Sequence, residues 1–377
     1  MKLFDVYPLY NVEPTRAEGC YVYDKEGEKY LDLYGGHAVI SIGHSHPHYV
    51  RSLKDQLDKI GFYSNSIHNS LQLKLAESLG RISGCDSYQL FLCNSGAEAN
   101  ENALKMASFV TGKSKVIAFE NGFHGRTSAA VAATHNSKIQ APINNQQDVV
   151  FFPLNDVEKV SNELAKDETC AVIIEPIQGV GGLDMPDATF IKQVESLCKK
   201  HNTLLILDEV QSGFGRSGKF FAHQFWDIEP DIISIAKGMG NGFPVGGILI
   251  SGKIEASYGM LGTTFGGNHL ACVATQAVLD IIEKEDLINN ANDIGNYMVE
   301  AVSKIDQVKK IKGNGLMIGL EFDFEIANLR RKLIYDYQIF TGGSSNKKLL
   351  RILPPLNISK KEIDHFVTAL QQALKTN

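Results

Sequence analysis

Short apolar runs alternate through the middle of the chain with segments in which apolar residues recur every three or four positions. The runs cover residues 88–93, 115–119, 171–174, 204–207, 231–235 and 247–250. They are continuous rather than alternating, which is typical of strands buried on both faces of a parallel sheet. Helical patterns between them, such as 97–110 and 190–201, have the length of crossover helices. The pattern therefore predicts an α/β fold with a mostly parallel sheet.

The last hundred residues have a different pattern, which predicts a smaller α/β domain. A long helical pattern at 270–284 precedes a glycine-containing strand-like run at 311–322. A further run at 349–353 ends at a Pro-Pro step, and Ser359 can cap a final helix over 360–374. We expect an N-terminal segment that packs with the small domain, then a large domain, then the connecting helix with the small domain, at residues 1–43, 44–265 and 266–377.

Composition and charge exclude several classes of protein. The chain of 377 residues has 37 Lys and Arg against 43 Asp and Glu, a formal charge of −6 without a basic footprint for nucleic acid. No apolar run is long enough to span a bilayer, and the N-terminus lacks the pattern of a secretory signal. The six cysteines are scattered, as in reduced intracellular proteins. We therefore expect a cytoplasmic protein with neither a membrane nor a nucleic-acid partner.

Residues with distinctive chemistry follow the apolar runs directly. Ligands of parallel sheets bind beyond the carboxyl ends of the strands, and Ser95, Glu175, Asp208 and Lys237 all stand at such ends. Alone, each has an ordinary explanation as a helix cap, a turn residue or a solvated charge. Together they predict a ligand site at one edge of the sheet.

Lys237 stands between an apolar run and three closely spaced glycines, which suits a lysine that forms a Schiff base with a planar cofactor. Partial desolvation lowers the pKa of a lysine and leaves the free amine as the nucleophile. With a pyridoxal phosphate ring nearby, Asp208 would keep the ring nitrogen protonated and Gln211 would hydrogen-bond the phenolic oxygen. The alternative is a solvated lysine, a capping aspartate and a surface glutamine.

Two loops combine a hydroxyl group, glycines and a following helix. The step Ser95-Gly96-Ala97 points backbone N–H groups and a hydroxyl at the positive end of a helix dipole, where a phosphate can bind. Thr264, in the loop 263–268, has the same two interpretations, which are phosphate binding and helix capping.

Three further side chains suit a flat cofactor and a carboxylate substrate. Phe123 can stack on a planar ring, although a phenylalanine alone is more often a core residue. Arg126 and Arg351 can each bind a carboxylate in a bidentate manner. Two such arginines would suit an amino acid and an oxo acid that are used in turn.

Histidines near the N-terminus open an alternative of a different class. His44, His46 and His48 stand close together, and His44 and His46 with Asp208 would suit a metal-dependent hydrolase. Pro47 interrupts the spacing and no further ligand cluster accompanies the three, so we predict no metal. A catalytically silent scaffold is disfavoured because every chemical role has a residue present.

Nine segments, in order, give the chain a resemblance to the class III pyridoxal-phosphate-dependent aminotransferases along nearly its whole length. They include NSGAEANENALKMA, FHGRT, EPIQGVGG, LDEVQSGFGRSGKFFA and PDIISIAKGMGNGFPVGG. The resemblance implies the type I fold of these enzymes, with a mostly parallel seven-stranded sheet in the large domain. Within the class, the compact length and the segments LYGGHAV, FHGRT and RILPPL are most similar to the acetylornithine aminotransferases.

The resemblance implies a role for each residue around the cofactor, pyridoxal 5′-phosphate. Lys237 would be the Schiff-base partner and would move the proton, Asp208 would pair with the ring nitrogen, and Gln211 would contact the ring hydroxyl. Phe123 would stack on the ring. The phosphate would be held by Ser95, Gly96 and Ala97, with Thr264 reaching in from the partner subunit of a homodimer.

The substrate side is also implied by the resemblance. Arg126 would bind the α-carboxylate of an N-acylornithine, and Arg351 that of 2-oxoglutarate or glutamate. Glu175 belongs to the same region, and His37 would either contact the acyl group or pack as a loop residue. The family usually has a glutamate at the position of Val180, thought to cover the second arginine, so this chain lacks that gate.

The implied reaction transfers the δ-amino group of an N-acylornithine, N-acetylornithine above all, to 2-oxoglutarate in arginine biosynthesis. The products would be an N-acylglutamate semialdehyde and glutamate. Alternatives within the class are N-succinylornithine, ornithine and 4-aminobutyrate aminotransferases, and an apolar wall at Val180 would suit a different acyl group such as succinyl.

Overall fold

The computed structural model describes residues 1–146 and 148–375 of the chain. The strands within those residues are β1 (Pro14–Glu18), β2 (Tyr21–Asp24), β3 (Lys29–Asp32), β4 (Tyr88–Cys93), β5 (Lys115–Phe119), β6 (Val149–Phe152), β7 (Thr169–Ile174), β8 (Leu204–Asp208), β9 (Ile232–Ile235), β10 (Gly246–Ser251), β11 (Lys310–Asn314), β12 (Met317–Glu321), β13 (Ile339–Phe340) and β14 (Leu349–Ile352). The helices are α1 (Gly35–Ala38), α2 (Pro47–Leu57), α3 (Ser70–Ser83), α4 (Gly96–Thr111), α5 (Ser128–Ala132), α6 (Val157–Leu164), α7 (Ala188–Lys200), α8 (His269–Lys284), α9 (Leu287–Val302), α10 (Ala327–Tyr335) and α11 (Lys360–Lys375). None of these helices is long and apolar enough to cross a membrane.

A seven-stranded sheet, with the strand order β4-β10-β9-β8-β7-β5-β6, carries the site. β7 pairs in parallel with β5 and β8, and β8 pairs in parallel with β9. β10 runs antiparallel to both of its neighbours. The predicted α/β fold with a mostly parallel sheet is confirmed. The edge strand β6, a run of four apolar residues, is missing from the predicted runs.

The central strands are continuous apolar runs because helices cover both faces of the sheet. Alternate residues of β7 point to opposite faces, so that Ala171 and Ile173 pack with α4, whereas Val172 and Ile174 pack with α7. Burial of each larger aliphatic side chain stabilises the fold by about 1.5–3 kcal/mol. The carboxyl ends of these strands are therefore held in fixed positions.

Two smaller sheets involve the ends of the chain. β3 pairs in parallel with β13 in a four-stranded sheet of order β1-β2-β3-β13, which joins the first strands to the C-terminal part. An antiparallel sheet has the order β11-β12-β14. The run at 311–322 is a hairpin rather than one strand, because Gly313 and Gly315 adopt φ angles of 88° and 57° that allow the chain to reverse.

Candidate active site

A cavity of about 360 Å³ lies where β4, β5, β7, β8 and β9 end. Val180 forms part of its wall, and Arg351, His37 and Thr264 do not. The sequence-predicted site residues in the wall are Ser95, Gly96, Ala97, Phe123, Arg126, Glu175, Asp208, Gln211 and Lys237.

Lys237 starts a single 3₁₀ turn just after β9 and has a left-handed backbone, with a φ of 48°. This conformation costs a residue other than glycine about 1–2 kcal/mol and is concentrated at functional sites. Among the described residues, Nζ of Lys237 has neither a hydrogen-bond partner nor an ion-pair partner. Desolvation lowers the pKa of this amine, against the opposing effects of Asp208 and Glu175. The cavity thus contains an unpaired amine shifted towards its neutral, nucleophilic form.

Asp208 is buried at the end of β8 and is held by a hydrogen-bond network. Its Oδ2 accepts from Nδ2 of Asn100 at 2.7 Å and lies 2.8 Å from Nδ1 of His124. Ser234 Oγ donates to Oδ1 of Asn100 at 2.5 Å. The second carboxylate oxygen, Oδ1, accepts from the backbone N–H of Val210 at 3.1 Å. A carboxylate oxygen accepts more than one bond, so the fixed Asp208 can also accept from a donor in the cavity.

Sequence reasoning missed Asn100 and His124 as members of this network. Both are buried polar residues, at 1% and 3% relative exposure. The available signal was Asn100 itself, because a polar amide one turn after Gly96 lies on the otherwise apolar face of α4. His124 stands beside the predicted Phe123, and only the fold shows that its ring turns towards Asp208.

Glu175 connects two loops of the cavity wall. Its Oε1 accepts from the backbone N–H of Phe123 at 2.9 Å, and its Oε2 accepts from that of Gly179 at 2.8 Å. Burial raises the pKa of Glu175 to about 7. The side chain therefore positions the loop of Phe123 against the loop that leads to Val180.

The start of α4 forms another part of the wall. Ser95 is the N-cap, and its Oγ accepts from the backbone N–H of Glu98 at 3.2 Å. The first N–H groups of a helix have no acceptor within the helix, so those of Gly96 and Ala97 are available to an anion. A Cβ at Gly96 would lie 2.6 Å from Cγ1 of Val210, so glycine is required by close packing. These features suit the predicted phosphate site.

The two predicted arginines occupy different environments. Arg126 is exposed and lines the cavity. Arg351 is 3% exposed in β14 and donates to the carbonyl oxygens of Gly179 and Gly343, at 2.6 and 2.5 Å. Its Nη1 also lies 3.4 Å from Oε1 of Gln211, which is in the cavity wall. Arg351 therefore lies just behind Gln211, and burial lowers the pKa of its guanidinium.

His37 lies in a turn whose backbone is left-handed at four successive residues. The φ angles of Gly35, Gly36, His37 and Ala38 are 54°, 54°, 70° and 63°. The carbonyl oxygen of His37 accepts from Nε2 of Gln211 at 3.3 Å. Its ring lies 2.5 Å, at Nδ1, from the hydroxyl of Tyr34. Desolvation, with Arg351 as the next contribution, lowers the pKa of the ring.

Thr264 is exposed and lies outside the cavity of its own chain. The neighbouring Thr263 Oγ1 instead accepts from the backbone N–H of Gly266 at 3.1 Å. Phe265 is 60% exposed and its ring centroid lies 5.4 Å from that of Phe62, which is 44% exposed. Thr264 therefore stands beside exposed aromatic residues.

The three N-terminal histidines are separated by their own carboxylate partners. Nε2 of His44 lies 2.8 Å from Asp32, that of His46 lies 2.9 Å from Glu285, and that of His48 lies 3.4 Å from Asp280. Among the described residues, no group of three or more His, Cys, Asp or Glu side chains is arranged for a metal ion. None of the three histidines lines the cavity that contains Asp208.

Comparison with known proteins places the chain in a family. A family model described as aminotransferase class-III matches residues 6–374. Acetylornithine aminotransferase of Bacillus subtilis is 40% identical over 378 residues, which cover 99% of this chain and 97% of that protein. The resemblance drawn from the sequence motifs is thereby confirmed.

Solved structures share the fold. Acetylornithine aminotransferase from Elizabethkingia anophelis has a TM-score of 0.84 at 30% identity, covering 98% of this chain and 95% of that chain. An ornithine aminotransferase from Toxoplasma gondii, described with partial occupancy of PLP at its active site, has a TM-score of 0.89 at 26% identity, covering 98% of this chain and 91% of that chain. The fold is therefore that of an aminotransferase. The chain belongs to the class III aminotransferases.

Proposed function

We propose that the enzyme holds pyridoxal 5′-phosphate in this cavity and transfers the δ-amino group of an N-acylornithine to 2-oxoglutarate. The products are an N-acylglutamate semialdehyde and glutamate. The observation that carries the proposal is the unpaired amine of Lys237, which shares a cavity with the fixed carboxylate of Asp208. The acetylornithine aminotransferases among the relatives support N-acetylornithine as a donor, and through it a place in arginine biosynthesis.

The residues of the wall fit this cofactor. Lys237 supplies an amine for the aldehyde, Asp208 a carboxylate for the ring nitrogen, and Gln211 a hydrogen bond for the ring hydroxyl. Phe123 supplies an aromatic face for stacking, and the start of α4 supplies N–H groups for the phosphate. When bound, pyridoxal phosphate acts as an electron sink for negative charge that develops on the substrate carbon.

The chain's own residues then perform the remaining tasks. The neutral amine of Lys237 would take a proton from the amine-bearing carbon of the donor and pass it to the cofactor within the same half-reaction, and in the second half-reaction it would move a proton in the reverse direction, to the carbon of the acceptor. The buried carboxylate of Asp208 holds a proton on the ring nitrogen, because an opposite charge within hydrogen-bond distance favours the protonated form. Arg126 binds the α-carboxylate of the donor, and Arg351 binds that of 2-oxoglutarate or glutamate. Glu175 keeps the surrounding loops in place.

A homodimer and a three-part domain division belong to the same proposal. Exposed aromatic side chains beside Thr264 support an interface at that loop, since large exposed apolar patches mark contact surfaces. The partner subunit's Thr264 would complete the phosphate site.

The pairing of β3 with β13 supports a segment 1–43 that packs with the small domain, followed by parts 44–265 and 266–377. The absence of a membrane-spanning helix among the described residues is consistent with our proposal of a cytoplasmic enzyme.

A substrate panel read at the cofactor tests the proposal. The purified enzyme should absorb as a pyridoxal phosphate protein, and borohydride should fix the cofactor to Lys237, as seen by peptide mass. Rapid mixing with N-acetylornithine, N-succinylornithine, ornithine and 4-aminobutyrate should convert the chromophore fastest with an N-acylornithine. Fastest conversion by ornithine or 4-aminobutyrate would replace the proposed donor. Failure to trap any cofactor at Lys237 would reject the reaction altogether.

A further inference from the structure

Three arginines at the substrate side have no carboxylate partner. Arg126, Arg351 and Arg330 form no ion pair within the described residues, and the hydrogen bonds of the last two go to uncharged oxygens. Nε and Nη2 of Arg330 donate to the carbonyl oxygen of Thr341 at 3.3 and 2.9 Å. The third nitrogen, Nη1, has no partner among these residues. Arg330 therefore has an N–H edge that the described part of the chain does not use.

Arg330 and Arg351 both lie close to Gly343. Nε of Arg351 donates to the carbonyl oxygen of Gly343, and a Cβ placed on Gly343 would be 2.9 Å from Nη1 of Arg330. A side chain at this position would collide with the free edge of Arg330. Burial lowers the pKa of Arg351 and the charge of Arg330 lowers it further, so the two guanidinium groups repel each other, and an anion beside them would relieve this repulsion. The absence of a side chain at Gly343 keeps that space open.

Uncharged polar groups surround the two guanidinium groups. The Arg330 guanidinium carbon lies 5.7 Å from the centre of the Tyr10 ring. The hydroxyl of Tyr34 forms the short contact with His37, and the His37 carbonyl is bonded to Gln211 of the cavity wall. Desolvation lowers the pKa of the His37 ring, and the charges of Arg351, Lys237 and Arg330 lower it further, so Arg330 lies near the turn that is bonded to Gln211.

The acidic side chains near these arginines already have partners, since Glu175 accepts from the backbone N–H groups of Phe123 and Gly179. Asp32 accepts from the backbone N–H groups of Tyr34 and Gly35 at 3.0 and 2.8 Å, and its other oxygen lies 2.8 Å from His44. At the position where the resemblance implies a glutamate that covers Arg351, the chain has Val180, and the neighbouring Gly179 accepts from Arg351 with its carbonyl oxygen. The protein thus leaves an excess of positive charge at this side of the site.

A count of carboxylates shows what the excess can bind. Glutamate and 2-oxoglutarate bring two carboxylates, which Arg126 and Arg351 can bind. An N-acetylornithine brings one carboxylate, for Arg126, and leaves both Arg351 and Arg330 without an anionic partner. An N-acylornithine whose acyl group ends in a carboxylate, of which N-succinylornithine is an example, brings a second anion that can reach a guanidinium. We propose that Arg330, beside Arg351, binds a terminal carboxylate on the acyl group and makes a dicarboxylic N-acylornithine a better donor than N-acetylornithine.

This inference rests on the proposed function, and non-reactive analogues test it apart from catalysis. N-Succinylnorvaline and N-acetylnorvaline lack the δ-amine, so calorimetric titration of the holoenzyme reports binding alone. We expect wild type to bind the succinyl analogue at least about tenfold more tightly, the gain of one charge-assisted hydrogen-bond pair. Equal binding of the two analogues by wild type would overturn the inference, whatever the variants do.

Substitution of Arg330 assigns the effect to that residue. In single-turnover reactions, Arg330→Gln should lower kcat/KM for N-succinylornithine at least about tenfold more than for N-acetylornithine or glutamate. Arg330→Lys should restore part of the loss, since the charge is kept without the fork. Arg331→Gln is the matched control, because Arg331 is an exposed neighbour on α10, and it should change none of the three reactions.

Other outcomes have distinct meanings. An equal loss for both acyl donors, or a loss confined to glutamate, would overturn the inference, because Arg330 would then support the fold or the binding of glutamate by Arg351. Rapid conversion by ornithine or 4-aminobutyrate, with neither acylornithine reacting, would overturn the proposed function and this inference with it. If both acylornithines react but wild type shows no succinyl preference, the proposed function stands and the Arg330 subsite is rejected.

Discussion

Two regions around the cavity, a fixed end at Asp208 and an arginine end that lies behind Gln211, differ in how their charged groups are satisfied. At one end, Asp208 is buried and receives hydrogen bonds from Asn100 and a ring contact from His124. At the other end, Arg351 and Arg330 donate only to uncharged oxygens. A group with one task in both half-reactions can be fixed by the protein, because its partner does not change. The roles that we propose for Arg351 and Arg330 require them to bind different anions in turn, which suits side chains without a permanent carboxylate partner.

The largest expected effect comes from the amine that stands between the two ends. Lys237→Ala should reduce the rate of both half-reactions by about 10³-fold or more, since general acid–base catalysis alone contributes about 10²–10⁴-fold. Stopped-flow absorbance of the cofactor measures each half-reaction separately. Lys237→Arg keeps a positive charge and should be equally inactive, because a guanidinium does not deprotonate. Substantial activity in either variant would contradict the role given to Lys237, provided that thermal melting shows an intact fold.

The next effect tests the fixed end. Asp208→Asn keeps the shape of the side chain but removes the charge, and we expect kcat to fall by about 10²–10³-fold for every donor, a typical loss for a preorganised electrostatic group. The ratio of rates between donors should stay the same, because Asp208 does not meet the substrate's carboxylates.

Asp231→Asn provides the control for Asp208→Asn. Asp231 also accepts a backbone N–H in the same sheet, from Leu205 at 2.8 Å, but it lies outside the cavity. Its substitution should leave the rate within about twofold, since it affects no group at the reacting atoms. A similar loss in the two variants would mean that Asp208→Asn acts through the fold.

The fixed end was the more predictable from the sequence. Ser95, Asp208 and Lys237 each follow an apolar run within three residues, so the strand pattern alone brings them to one edge. The network around Asp208 was less accessible, because Asn100 reaches it only when α4 packs across the sheet.

The arginine end was less predictable, because its contacts join distant parts of the chain. Arg351 bonds to Gly179 and lies close to Gln211 only after β14 has paired with β12. Arg330 is an ordinary basic residue of an amphipathic helix in the sequence, and its relation to Gly343 depends on the folded loop between β13 and β14. A motif of adjacent residues can be recognised in the sequence, whereas a contact between residues that are far apart in the chain cannot.

The pH dependence of stability tests Glu175, the carboxylate that positions the loops and belongs to neither end. The pKa of Glu175 is raised to about 7 from a model-compound value of 4.5, so its protonated form is favoured in the folded protein. Its favourable contribution is therefore complete below pH 4.5 and is lost as the pH rises through about 7. In urea unfolding of the cofactor-free enzyme, wild type should lose up to about 3 kcal/mol over this range relative to Glu175→Gln.

Glu163→Gln is the control of opposite sign for Glu175→Gln. Lys166, as the largest contribution, lowers the pKa of Glu163, so the stability it gives is present above its unfolded pKa and is lost as the pH falls. Averaged over the pH range, we expect Glu175→Gln to be less stable than wild type, because the NH₂ group of its amide would face a backbone N–H. The pH slope is therefore the decisive measurement, and an unchanged slope between pH 5 and about 7.5 would show that Glu175 is ionised in the folded protein throughout.

The smallest expected effect tests whether Arg351 lacks a carboxylate partner because residue 180 is a valine. Val180→Glu places a carboxylate in the wall next to Gly179, whose carbonyl accepts from Arg351. The new charge should pair with Arg351 and compete with anions there, so we expect kcat/KM for N-succinylornithine to fall by about three- to tenfold relative to N-acetylornithine. Val180→Gln, with the same length and no charge, should change this ratio by less than about twofold. Because both variants replace an apolar wall by a polar one, only the difference between them measures the charge. An unchanged ratio of kcat/KM between the two donors in Val180→Glu would show that Val180 does not control the acyl-group preference. Arg330 and Gly343 would then account for the preference.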